Sequence, residues 1–104
     1  MSKPVDNYNS LCEEFSKKHN AEISKMFGMP CMKIKSKAFC GLFNDDMIFK
    51  LSGDSHAKAL TLKGTKLFDP MGGRPMKEWV QVPVKYADHW KEFAGASLKY
   101  VSKR

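Results

Sequence analysis

The segment FDPMGGRPMKEW, residues 68–79, places two glycines, an arginine and a lysine in one short stretch. These residue types can cradle a phosphate: the amides of Gly72 and Gly73 would turn toward an anion that Arg74 and Lys77 neutralise. The spacing does not complete such a site. No Gly-Lys-Ser/Thr follows, the glycines are adjacent rather than set as Gly-x-Gly-x-x-Gly, and the residues after Pro75 alternate like a strand instead of opening a helix. A structural corner uses the residues more fully. Pro70 fixes its own φ, Gly72 or Gly73 supplies the positive φ of a turn or bulge, and Pro75 prevents a helix from starting. Arg74 is spaced to pair with Asp69 inside that corner.

The other chemically capable residues are dispersed. His19, His56 and His89 fall on three different predicted helices, without an acidic or nucleophilic partner at a characteristic spacing, so no catalytic residue is assigned. Met26, Met29, Cys31 and Met32, with Met71 and Met76, are soft donors of the kind that select Cu(I). Methionine also fills irregular core gaps, and strand alternation would turn Cys31 and Met32 to opposite sides, so neither a metal nor a cofactor is expected. The three cysteines are odd in number and lack a Cys-x-x-Cys pair. Cys31 and Cys40 are expected on the same side of adjoining strands, as free thiols in a reducing cytosol.

The elements that must position these residues follow from the apolar periods. Tyr8, Leu11, Cys12 and Phe15 form a helical stripe, predicting a first helix over Val5–His19 with Asp6 as its cap and weaker helical character through AEISKMF. The period then shortens. Met32 and Ile34 alternate with Lys33 and Lys35, Phe39 and Phe43 with Cys40 and Leu42, and Met47, Phe49 and Leu51 with Ile48 and Lys50. Breaks at Ser36-Lys37 and Asn44-Asp45-Asp46 are short enough for hairpins, giving an antiparallel meander. Gly53-Asp54-Ser55 begins a second helix with Ala57, Ala59 and Leu60 inward. KLF and MKEWVQV read as two further strands, the latter ending at Pro83. Tyr86, Trp90, Phe93, Ala94, Leu98 and Val101 form the stripe of a last helix, interrupted by Gly95. The expected fold is α+β: one domain over 1–104, a two-layer sandwich with a single antiparallel sheet of about five strands, in the order α-β-β-β-α-β-β-α.

Charge bears on the partner. The 104 residues carry a formal net charge of +7, which invites an anionic partner such as nucleic acid. The distribution weighs against specific readout: the only arginines are Arg74 and Arg104, and the lysines are interleaved with Glu13, Glu14, Asp45, Asp46 and Glu92. No apolar run approaches the ~20 residues of a membrane span, and MSKPVDNYNS has no apolar signal region, so no membrane partner is expected. Trp79 alternates away from Val80 and Val82. If those valines cover the core, Arg74, Lys77, Trp79 and Gln81 form an interaction surface on the other face, unless the loop 69–75 folds over the tryptophan.

Four stretches carry a family likeness: KMFG at 25–28, GLFNDDMIFKLS at 41–52, FDPMGGRPMKEWVQVP at 68–83, and the closing Trp, Phe, Ala and Tyr-Val of the last helix. Together they resemble the N-terminal domain of the TfoX/Sxy competence-regulator family, and its free-standing members in particular, from about Glu22 onward. The resemblance implies a two-layer α/β sandwich with one antiparallel sheet, similar to the YjbR and secretion-chaperone group. It implies no agreed reaction and no catalytic motif. In two-domain regulators a helical domain with helix-hairpin-helix-like elements follows, outside these residues, and a transcriptional role carried there does not transfer. The expected function is a cytoplasmic, non-catalytic, regulatory interaction module that binds a protein partner; the alternative is a basic nucleic-acid-associated regulator that holds phosphates through scattered lysines and Arg74.

Overall fold

The computed structural model of the chain describes residues 3–26, 28–69, 73 and 76–103. The first helix, α1 (Pro4–His19), starts at a proline, whose missing N–H costs nothing in the first turn. Lys3 holds the capping position without a side-chain bond, and Asp6 lies within the first turn rather than at the expected cap. Its carboxylate still suits the positive end of the helix dipole. Asn20 ends the helix in the left-handed region at φ 59°, its amide donating to the Phe15 carbonyl.

The weak helical character expected beyond His19 is overturned. Residues Glu22–Met26 form a strand, β1, paired without interruption to β2 (Met29–Ile34) from Glu22↔Lys33 to Met26↔Met29. The turn out of α1 at Asn20 and five cross-strand pairs outweigh a local preference of a few tenths of a kcal/mol per residue. The sheet therefore has six strands rather than five.

The meander continues through β3 (Lys37–Phe43) and β4 (Asp46–Lys50). Its first turn is Lys35-Ser36, one residue earlier than expected, with φ 51° and 68° at the two positions. Two positive φ angles suit the type I′ turn, whose twist matches that of the flanking strands. Register passes from Met32↔Cys40 to Lys33↔Ala38, leaving Phe39 as an extra residue in β3. This bulge changes the expected alternation. Phe39 and Cys40, though adjacent, both join the core beneath the helices, where Phe39 stacks on Phe15 at 6.2 Å. Phe43 packs on the opposite face, edge-on to Phe68 at 5.0 Å. Cys31 pairs with Gly41 while Cys40 pairs with Met32. The two thiols consequently lie on opposite faces, not the same one.

Helix α2 (Gly53–Leu60) buries only Ala59; Ala57 and Leu60 face outward, contrary to the expected stripe. Strand β5 (Lys66–Phe68) and strand β6 (Met76–Val82) precede a short 3-10 turn, Val84–Tyr86, and α3 (Ala87–Ser102). All strand pairs are antiparallel, in the order β1-β2-β3-β4-β6-β5. The architecture is thus the expected α+β class with a single antiparallel sheet. Among the described residues no helix is long and apolar enough to cross a membrane.

The main core lies between sheet and helices. Tyr8 and Phe15 from α1 and Trp90 and Phe93 from α3 meet Met32, Met47, Phe49, Val80 and Val82 from the strands. Each fully buried side chain of this kind stabilises the fold by roughly 1.5–3 kcal/mol relative to exposure. A second cluster, Met29, Ile48, Phe68 and Trp79, packs on the face opposite the helices. Gly41 permits close strand contact there: a Cβ at its position would lie 2.9 Å from the Pro30 carbonyl oxygen and 3.3 Å from Cys31 Cβ.

Candidate functional site

Strand β6 alternates as the sequence indicates, with Val80 and Val82 in the helix-side core and Trp79 in the opposite cluster. Trp79 is only 6% exposed, so its ring fills a hydrophobic layer and does not stand free as an anchor. Gln81 is also buried, and its Nε2 donates to Asp46 Oδ2 at 2.7 Å. Lys77 is exposed, and its carbonyl accepts a bond from His56 Nε2 at 2.7 Å, tying β6 to α2. Of the proposed surface, then, only Lys77 presents its side chain to solvent; Arg74 lies outside the described residues. Pro70, Gly72 and Pro75 of the corner lie outside them too. Gly73 donates its N–H to Asp69 Oδ1 at 3.0 Å.

Titratable groups are distributed as the sequence suggests. His19 packs beside Phe15, His56 bonds to β6, and His89 lies against Tyr86 and Phe93. Among the described residues no group of three His, Cys, Asp or Glu could hold a metal ion. Met29 and Met32 belong to clusters on opposite faces, while Met71 and the side chains of Met26 and Met76 lie outside the described residues. All three cysteines are free and buried. Burial pushes the thiols of Cys12, Cys31 and Cys40 up, most for Cys40, and raises the Tyr8 phenol as well. A thiol held protonated is a poor nucleophile and a poor metal ligand.

A different feature offers itself to a ligand. Between the start of α2 and the outer side of α3 runs a groove of about 950 Å³. Ser52 and Ser55 line it from the start of α2, and Gly95, Ala96, Lys99, Tyr100 and Lys103 line it from α3 and its C-terminal cap. Gly95 leaves room: a Cβ placed there would meet nothing within 4 Å. Two ion pairs brace the region. Lys58 Nζ reaches Glu92 Oε2 at 2.6 Å between α2 and α3, and Lys91 Nζ reaches Glu14 Oε2 at 3.0 Å between α3 and α1. Lys91, nearest of the cations, holds the Glu14 carboxyl below the usual carboxylate range. At the far end Lys99 and Lys103, one turn apart, make no ion pair among the described residues. Tyr100 is held by donation of its hydroxyl to Glu78 Oε2 at 3.0 Å, and Lys50 Nζ lies 3.8 Å from the same oxygen.

Sequence reasoning did not single out this groove. Its signals were present: a glycine inside an amphipathic helix, and lysines at i and i+4 on the polar side. Neither indicates that α2 will stand alongside to complete a wall. Comparisons with family models, with curated proteins and with solved structures return no match.

Proposed function

We propose that the protein is a non-catalytic binding module of the cytoplasm, a free-standing relative of the TfoX N-terminal domain, that takes an acidic segment of a protein partner in the groove between α2 and α3. The observation that carries this reading is the pair Lys99 and Lys103, which make no ion pair among the described residues and line a groove in which Gly95 leaves open space. Two ammonium groups one helical turn apart suit carboxylates on a peptide, and the serine hydroxyls opposite can bond to its backbone. A continuous phosphate backbone fits less well, because Asp88 and Glu92 line the other end of the same groove. The family likeness of the Gly-Arg-Pro-Met stretch and its neighbours supports the regulatory part of the reading.

The test captures partners from native lysate with and without nuclease, then measures direct binding of each purified companion. Wild type, Lys99→Glu/Lys103→Glu and Gly95→Leu are compared, with Lys63→Glu as a charge control outside the groove. The expected result is a nuclease-resistant protein companion whose affinity falls at least about tenfold with either groove variant, equivalent to about 1.4 kcal/mol, and is unchanged by the control. Companions lost on nuclease treatment, with duplex-DNA affinity falling steeply with salt at a log-log slope of about −0.9 per phosphate, would replace this reading with the nucleic-acid one.

A further inference from the structure

An open sheet has two edges, and this protein treats its two differently. The β5 edge is three residues long and its pairing to β6 shifts register between Leu67 and Phe68. Shortness and irregularity blunt an edge against further pairing. The β1 edge has neither protection. It runs five residues in unbroken register with β2, and among the described residues no strand lies on its outer side. Its second residue is Ile23, 64% exposed, more so than any other exposed large hydrophobic residue described. Ile23 pairs with Met32, which is wholly buried in the helix-side core. Its side chain therefore continues that core layer outward, past the last strand.

We infer that β1 pairs antiparallel with β1 of a second copy, centred on Ile23, joining two six-stranded sheets into one. A two-fold axis normal to the sheet keeps the helices of both copies on one side and sets each residue opposite another of the same face. Only registers centred on a residue satisfy this requirement. Centring on Glu22 opposes two carboxylates, and centring on Lys25 opposes two ammonium groups, both unfavourable. Centring on Ser24 sets Ile23 against a lysine. Centring on Ile23 sets the isoleucines against each other, Glu22 against Ser24, and Lys25 against Ala21. That register alone covers the exposed apolar side chain with its like and opposes no like charges. A strand from a different protein would have to supply this pattern, whereas a second copy carries it by construction. Five residues from each copy make a contact smaller than the standard interface of about 1,600 Å², so the dimer is weak and depends on concentration. This inference is independent of the groove on α3.

Sedimentation equilibrium of the purified chain over a wide concentration range tests it. The weight-average mass should rise from 11.8 kDa toward twice that value, and Ile23→Lys should remain at the monomer mass with an unchanged circular dichroism spectrum and thermal midpoint. Register is tested separately by mild oxidation. Ile23→Cys should cross-link between copies, Lys25→Cys should not, and the native thiols, all buried, should not compete. A wild-type mass that stays at the monomer value throughout, a dimer that persists in Ile23→Lys, or cross-linking through position 25 in place of 23 would overturn the proposal.

Discussion

At Gly41 and Trp79 the fold rests on single positions of the face opposite the helices. Any Cβ at position 41 would stand 2.9 Å from a backbone oxygen, and backbone yields less readily than a side chain. Gly41→Ala should therefore destabilise the protein by about 1–3 kcal/mol, read from the urea midpoint at constant m-value. An unchanged midpoint would mean that β2 and β3 can separate locally at no cost. Trp79 lies in the same layer with Met29, Ile48 and Phe68. Trp79→Ala should cost about 3–5 kcal/mol, the range for a large aromatic removed from a packed site. A surface tryptophan would cost little, so a loss within about 0.5 kcal/mol would return Trp79 to the role of an exposed anchor.

Among the elements, the hairpin joining β2 and β3 carries an identifiable imperfection. Lys35 and Ser36 both adopt positive φ, a conformation that costs a residue with a Cβ about 1–2 kcal/mol and that Asn-Gly adopts readily. Lys35→Asn/Ser36→Gly should accordingly raise stability by about 1 kcal/mol. Thermal unfolding monitored by circular dichroism checks this, and a lower midpoint would show that the lysine or serine side chain contributes more than its backbone costs. The neighbouring bulge explains why the turn matters. Phe39 is the extra residue, and moving the turn by one position would shift Phe39 and Cys40 out of the main core.

For the whole molecule the buried thiols give stability a direction with pH. Burial raises the thiol pKa of Cys12, Cys31 and Cys40 in the folded protein above the unfolded value of about 8.5. Between those values the folded state holds more protons than the unfolded one. Stability is then complete below about pH 8.5 and falls as pH rises, by up to about 1.4 kcal/mol per pH unit for each thiol that stays protonated when folded. The Tyr8 phenol, also raised by burial, adds to the loss above about pH 10. Urea unfolding at neutral and alkaline pH should show this decline, and Cys40→Ala should flatten it by about one proton. A stability that is level or increasing into the alkaline range would contradict the protonated state of the buried thiols.

The amino-acid order by itself determined the α+β class, the β2-β3-β4 meander, the separation of Val80 and Val82 from Trp79, and the inward stripe of α3, because each rests on a local apolar period. It did not reveal β1, since EISKM has no strong period of its own and becomes a strand through pairing with β2 after Asn20 ends α1. Nor did it show that Phe39 and Cys40 share a face, because a one-residue bulge reverses alternation without a residue type that announces it. The candidate site divides in the same way. Lys77, Trp79 and Gln81 were placed on the correct face of β6, but burial of Trp79 and the bond from Gln81 to Asp46 depend on residues distant in sequence. The groove beside Gly95 exists only because α2 and α3 are brought side by side, a juxtaposition decided by how the helices pack on the sheet.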